Sequence, residues 1–264
     1  MSRRAASLGL LLVLAARAAG APDADRAAWE LIGAYKPEQA LKEFQASAGG
    51  DQRRHQLGEA MALLAQPIPV PDRVARGRAL LEAVAAGDDD LALAARFYLG
   101  RVAEFQAEPP DPRAAALRFE RLIAEHPDSR WAQAALSRLA ILWLYTAAGP
   151  ATPAARVDEA ERLAAAARQP QAIADLHLVI ADAVFHYRLP DARALPHLLA
   201  AERTAVLDPA TRADVLVQIG ELARLGGDRA LAEKFYRTFL QEYPRDARQY
   251  PIRQQLAGLA KAAR

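Results

Sequence analysis

The sequence predicts an all-α fold, an α-solenoid of about six antiparallel helical hairpins. Three observations carry that expectation. Apolar residues recur at helical spacing along nearly the whole chain, and alternating apolar/polar runs are almost absent. Alanine is abundant while aromatics make up 6%, which suits close helix packing and strong helix propensity. The stretch Ala213–Asp246, ADVLVQIGELARLGGDRALAEKFYRTFLQEYPRD, reads as two amphipathic helices around a Gly-Gly-Asp turn. Neither helix of that pair can bury its apolar face alone, so the pair implies neighbours of its own kind.

Taken in order, Asp23–Tyr35 and Pro37–Ser47 form a first helix pair, with Pro37 suited to a first helical position. Gly49-Gly50-Asp51 breaks the chain and caps the next helix. Helices follow over Gln52–Gln66 and Asp72–Ala86, joined by the rigid connector Pro67–Pro71. The run Asp88-Asp89-Asp90 could suggest calcium, but it lacks alternating oxygen ligands, a turn glycine and a distal glutamate. It reads instead as a helix cap with acids at a helix N-terminus. Leu91–Ala107 and Pro112–Glu125 make the next pair, separated by Glu108–Pro112. Arg130–Ala147 is apolar over most of its circumference, from Trp131 to Tyr145, which predicts a buried helix in the middle of the stack. Thr152–Arg168, Gln171–Tyr187, Asp191–Thr204, Pro209–Leu225, Arg229–Tyr243 and Asp246–Ala262 complete the array. No connector is long enough to mark a second domain.

Composition removes several function classes. There is no cysteine, so disulfides, thiol nucleophiles and thiolate metal sites are excluded. Arginine outnumbers lysine 30 to 4, an excess read here as genomic base composition rather than recognition chemistry. Met1–Ala21 has the layout of a secretory signal peptide: Arg3 and Arg4, an apolar run over Ala5–Ala16, then small residues. The apolar run falls short of the roughly 20 residues that a spanning helix needs. Cleavage could follow either Ala16-Arg17-Ala18 or Ala18-Ala19-Gly20, whereas Pro22 disfavours cleavage after Ala21. A buried first helix is the alternative. The expected layout is therefore a signal peptide over 1–21, a helical repeat domain over 22–264, and an exported, periplasmic or secreted protein with no transmembrane span. Without the leader the chain carries 31 bases against 32 acids. That balance gives no long-range field for nucleic acid.

The repeat has an internal signature. Leu216-x2-Ile219-Gly220-x2-Ala223 fills one helix, Gly227 the turn, Ala232-x3-Tyr236 the second helix, and Pro244 closes it. Upstream, Leu99-x2-Val102-Ala103-x2-Gln106 matches loosely and Ala115-x3-Phe119, Leu122 and Pro127 match well. Phe119 and Tyr236 stand 117 residues apart, as do Pro127 and Pro244. Ala40, Ala79, Ala115, Ala160, Ala194 and Ala232 each begin an apolar run in a second helix. These residues resemble the tetratricopeptide repeat, W-x2-L-G-x2-Y then A-x3-F then P. The segments AALRFERLIAEHPDSRWAQAAL and AEKFYRTFLQEYPRDARQYPI also resemble repeats of bacterial envelope proteins, the outer-membrane-assembly lipoprotein and the Tol-associated periplasmic tetratricopeptide proteins. The chain lacks the lipid-bearing cysteine of the former and an evident N-terminal coiled coil like that of the latter.

The resemblance implies a right-handed superhelix whose concave groove, lined by the first helix of each pair, docks a protein or peptide. Carried over residue by residue, the groove positions are Phe97 and Glu104 in one repeat and Asp214, Val217, Glu221 and Arg224 in the other. A 34-residue offset adds Trp131 and Arg138. Ala115, Phe119, Pro127, Gly220, Ala232, Tyr236 and Pro244 are expected to pack the repeats. A self-assembling component of an envelope complex, with a homo-oligomer, is a second reading. A helical enzyme acting on envelope polysaccharide is a third, but no H-E-x-x-H, phosphate loop or G-x-S-x-G occurs. Asp175, Asp182 and His186 share a helix face and could hold a metal, yet the apolar Ile173, Leu176, Ile180, Ala183 and Tyr187 define the opposite face and turn the trio to solvent. Glu104 and Glu108 read as surface charge at i, i+4. No enzyme activity, metal or cofactor is expected.

Overall fold

Aspartate and proline set the helix starts. Asp51, Asp89, Asp111, Asp208 and Asp228 are N-caps whose carboxylates accept hydrogen bonds from first-turn backbone N–H groups. Proline occupies the first turn of the helices at 37, 71, 112, 153, 170 and 209, where its missing N–H has no partner to lose. In a computed structural model that describes residues 25–47, 50–68 and 70–261, these signals delimit thirteen α-helices. They are α1 Arg26–Gly33, α2 Pro37–Ala46, α3 Gln52–Leu64, α4 Pro71–Val84, α5 Asp90–Phe105, α6 Pro112–Glu125 and α7 Arg130–Tyr145. Then follow α8 Pro153–Ala164, α9 Pro170–His186, α10 Leu195–Arg203, α11 Pro209–Leu225, α12 Arg229–Glu242 and α13 Gln249–Lys261. No strand occurs among the described residues. The expected signal segment Met1–Ala21 and its cleavage sites lie outside them, as do Gly49 and Ala262.

The helices group into two compact units, up to Ala135 and from Leu136 onward, with the division falling inside α7. In the first unit α1 to α6 pack each on the next. In addition α1 touches α3, and α3 touches α5, so the first helices of successive hairpins form one layer. Its core is built on Trp29, Phe44, Leu57, Phe97, Phe119 and Trp131, each at most 3% exposed. In the second unit α8 packs on α9, α9 on α10, α10 on α11, α11 on α12, and α12 on α13. Tyr187 and Arg156 both donate to the carbonyl of Leu144, tying the end of α7 to α8 and the end of α9.

Glycine–aromatic contacts set the close approach within the best-marked hairpins. A Cβ added at Gly220 would lie 2.5 Å from the Tyr236 ring, and one at Gly100 would lie 2.5 Å from the Phe119 ring. Ala115 and Ala232 are fully buried beside them. Pro127 and Pro244 each stand two residues beyond a helix end and stay exposed, so they terminate the helices rather than pack them. Gly227, with φ +80°, makes the turn that the Gly-Gly-Asp sequence implies.

Three expectations need correction. The segment expected as a helix from Asp191 starts as a 3-10 turn over Asp191–Arg193, and α10 begins only at Leu195. Pro196 lies in its first turn, and a helix running through from 191 would need the N–H that proline lacks. The helix expected to run to Arg168 ends at Ala164, where the N–H groups of Ala165, Ala166 and Ala167 turn to i−3 carbonyls and the α-helical ladder stops. Glu104 and Glu108 do not share a helix face: α5 ends at Phe105, and Glu104 is 8% exposed and bonded to Arg101.

The arginines also have a structural use that base composition alone does not convey. Arg53, at the start of α3, binds the N-cap Asp89 of α5 at 2.5 and 2.9 Å and the carbonyls of Val84 and Ala86. Arg130 of α7 forks onto Asp90 of α5. Arg248, just before α13, reaches Asp214 of α11 at 2.7 Å. Arg193 chelates Glu161 and also meets Asp158 of α8. In each case a planar fork bridges consecutive hairpins, a task that a lysine ammonium performs less well. The triple aspartate is consumed in the same way: Asp89 caps α5 and binds Arg53, Asp90 holds Arg130, and Asp88 meets Arg96 and His126.

Candidate functional site

In the first unit the layer of first helices carries a shallow cleft. Trp29 of α1, Arg54 and Leu57 of α3, Asp90, Leu91 and Ala94 of α5, and Arg130 and Trp131 of α7 surround about 310 Å³ open to solvent. Its floor is aromatic and aliphatic: Trp29, Leu57, Ala94 and Trp131 are buried. Its rim is charged. The Arg54 guanidinium lies 5.8 Å from the Trp29 ring centroid, and that of Arg130 lies 4.9 Å from the Trp131 ring centroid. Trp131 donates its indole N–H to Asp90 at 2.9 Å, so Asp90 orients both Trp131 and Arg130. Because the cleft is shallow, its apolar floor with a few fixed charges is suited to the face of a docked segment rather than to an inserted side chain.

The expected groove residues divide. Phe97 and Trp131 are 1% exposed and pack on each other, ring centroids 5.6 Å apart, with Phe119 and Tyr98 alongside. Phe97 is a core residue, and Trp131 reaches the cleft only as part of its floor. Glu104 is buried and paired with Arg101. Arg138 is half-buried on α7. Asp214 is exposed on α11 and accepts from Arg248. Val217, Glu221 and Arg224 are half-buried on α11, and Arg224 donates to Glu221 at 2.8 Å.

Phe97 and Glu104 are not the counterparts of Asp214 and Glu221, as an offset of 117 would make them, and the connectors show why. Six residues connect α5 to α6 and three connect α11 to α12. The 117-residue offset aligns the second helices, where Phe119 matches Tyr236. The first helices align at 120, where Gly100 matches Gly220. With that register Asp214 corresponds to Ala94, which lines the cleft, and the Glu221–Arg224 pair corresponds to Arg101–Glu104. Both pairs are i, i+3 ion pairs with the charge order reversed. Sequence spacing alone missed Trp29, Arg54, Leu57, Asp90, Leu91, Ala94 and Arg130. Reading the longer connector at 106–111 as a register shift would have recovered Ala94.

Beneath the pair on α11 lies Tyr236. Burial, then the Glu221 carboxylate, pushes its hydroxyl well above the usual phenol range. The hydroxyl is enclosed and within electrostatic reach of Glu221 and Arg224, but has no hydrogen bond of good geometry. The trio Asp175, Asp182 and His186 is exposed. Among the described residues no group of three or more His, Asp or Glu is placed to hold a metal ion. No described helix is long and apolar enough to cross a membrane.

A family model described as tetratricopeptide repeat matches residues 214–246. The match covers α11 from Asp214 onward, its Gly-Gly-Asp turn and α12. No curated protein matches the chain. Residues 214–246 thus form a tetratricopeptide-like repeat within an all-helical array of packed hairpins, and repeats of this kind typically serve as scaffolds for protein–protein interaction.

Proposed function

We propose that this chain docks an extended or helical segment of a protein partner on the exposed face of its first helices. The observation that carries the reading is the cleft in the first unit, where four successive first helices contribute to one apolar floor with a rim of Arg54, Asp90 and Arg130. In the second unit the corresponding face is that of α11, with Asp214, Val217, Glu221 and Arg224. Apolar anchoring would supply affinity, and the rim charges would supply register and selectivity. An exported location belongs to the same reading and is supported by the basic, apolar and small-residue order of Met1–Ala21.

Crosslinking pull-down from the native host tests the docking face. Arg54→Glu and Glu221→Arg are expected to reduce partner recovery at least tenfold, with the helical circular dichroism unchanged. Arg118→Glu, on the exposed face of the second helix α6, is expected to leave recovery intact. Equal recovery from all three variants would refute the face. Mass spectrometry of protein from an exporting host tests the address, with loss of about twenty N-terminal residues expected.

A further inference from the structure

A polar cluster inside the second unit has no part in the docking face. His177 of α9 and His197 of α10 meet Nδ1 to Nδ1 at 2.8 Å, with ring centroids 5.1 Å apart. His197 is 7% exposed, and its Nε2 lies 3.2 Å from Glu161 Oε1 on α8. Glu161 is in turn held by Arg193 at 2.7 and 2.8 Å, from the 3-10 turn that precedes α10. Four elements therefore meet through one chain: Arg193, Glu161, His197, His177. On the far side of α10, Glu202 accepts from Arg212 of α11 at 3.3 Å, and Arg212 also binds Glu242 of α12.

Proton counting constrains this chain. Glu161 is kept ionised by Arg193 and accepts from His197 Nε2–H. With both rings neutral, His197 Nδ1 is then the acceptor and His177 Nδ1–H the donor. One added proton is tolerated, because an imidazolium on either ring still donates its Nδ1–H to the neutral other ring. A second is not. Two Nδ1–H groups would face each other at 2.8 Å, with two like charges in a mostly desolvated site.

We propose that the His177–His197 pair is an acid-operated latch. It holds α10 between α9 and α11 while at most one proton is shared, and releases α10 when both imidazoles are protonated. The charged groups around the pair are Asp158 and Glu161 from α8, Arg193 from the 3-10 turn and Arg203 from α10 itself, while Asp175 and Asp182 of α9 are exposed. On α7 the aromatic Tyr145 meets the end of α9 at His186. Burial, then His197 and Arg203, pushes His177 down to about 4, consistent with the second proton being the costly one.

Amide hydrogen exchange of the full chain, corrected for the pH dependence of intrinsic exchange, tests this. Wild type is expected to lose protection in α10 as pH falls toward 4, about tenfold or more, while α11 and α12 stay protected. His177→Gln cannot take the second proton and still offers an amide N–H donor and a carbonyl acceptor. It is expected to keep α10 protection flat over the same range. If His177→Gln loses protection at the same pH as wild type, or if all helices open together in wild type, the latch is refuted. A second readout needs no variant: side-chain ¹⁵N spectra of wild type should show a proton shared between two Nδ1 atoms at neutral pH. Two independent Nε2–H tautomers with no shared proton would overturn the pairing.

Discussion

Gly220→Ala sets two well-known effects against each other, and the structure decides which wins. Alanine in place of a helical glycine contributes up to about 1 kcal/mol through helix propensity. At position 220 the new Cβ would sit 2.5 and 2.6 Å from two Tyr236 ring carbons, well inside a normal carbon–carbon contact of about 3.5–4.0 Å. Tyr236 is fully buried and packed in the core of the hairpin, so the ring cannot swing away. Overpacking of this kind costs about 1–3 kcal/mol, with severe overlap at the upper end. The net expectation is destabilisation of about 1–2 kcal/mol. Gly258→Ala supplies the control, since nothing lies within 4 Å of its Cβ. It is expected to stabilise the chain by up to about 1 kcal/mol. Urea unfolding followed by circular dichroism measures both. In a Tyr236→Ala background the sign at 220 should invert, giving a coupling of about 2–3 kcal/mol. A neutral or stabilising Gly220→Ala in wild type, matching Gly258→Ala, would refute the close glycine–aromatic contact.

Other outcomes follow from the same geometry. Phe119→Ala removes a fully buried ring packed on Phe97 and is expected to cost about 3–5 kcal/mol in urea unfolding. Asp89→Ala removes both the cap of α5 and the Arg53 partner, and a loss of about 1–2 kcal/mol is expected by the same measurement. His177 ionises near 4 in the fold and near 6.5 unfolded, so the unfolded chain binds the extra proton between those values. Its contribution, on the order of 2 kcal/mol, is thus full above about pH 6.5 and is lost as pH falls toward 4. Comparing wild type with His177→Gln in thermal scans at several pH values isolates that contribution. Asp246, held down to about 2 by Arg248, should stay ionised through the whole of that range.

Much of the fold was legible because it rests on local signals. Aspartate caps, first-turn prolines and helical apolar spacing act within a few residues, and they placed most helix starts within one or two positions. The buried Gly220–Tyr236 pair was legible because the repeat fixes both residues in one hairpin. Register across a connector was not. Phe119 and Tyr236 align at 117 residues while Gly100 and Gly220 align at 120, and only the three extra residues at 106–111 explain the difference. Polar partners across hairpins were equally hidden. Arg53–Asp89 is separated by 36 residues and His177–His197 by 20, and no period in the sequence marks either. The helix face carrying Asp175, Asp182 and His186 drew notice because its spacing is regular, while the histidines that meet lie on different helices.

The central claim is that the first helices carry the docking face. Site-resolved photocrosslinking in the native host tests it most directly, with a reactive side chain at Asp214, Gln218 or Arg54 on first helices and at Leu117 or Arg237 on second helices. Asp214, Gln218, Leu117 and Arg237 are all exposed, and Arg54 is half-buried at the cleft rim. Adducts to one partner are expected from the first-helix positions and none from the second-helix positions. Adducts from Leu117 and Arg237 with none from Asp214, Gln218 or Arg54 would contradict that claim.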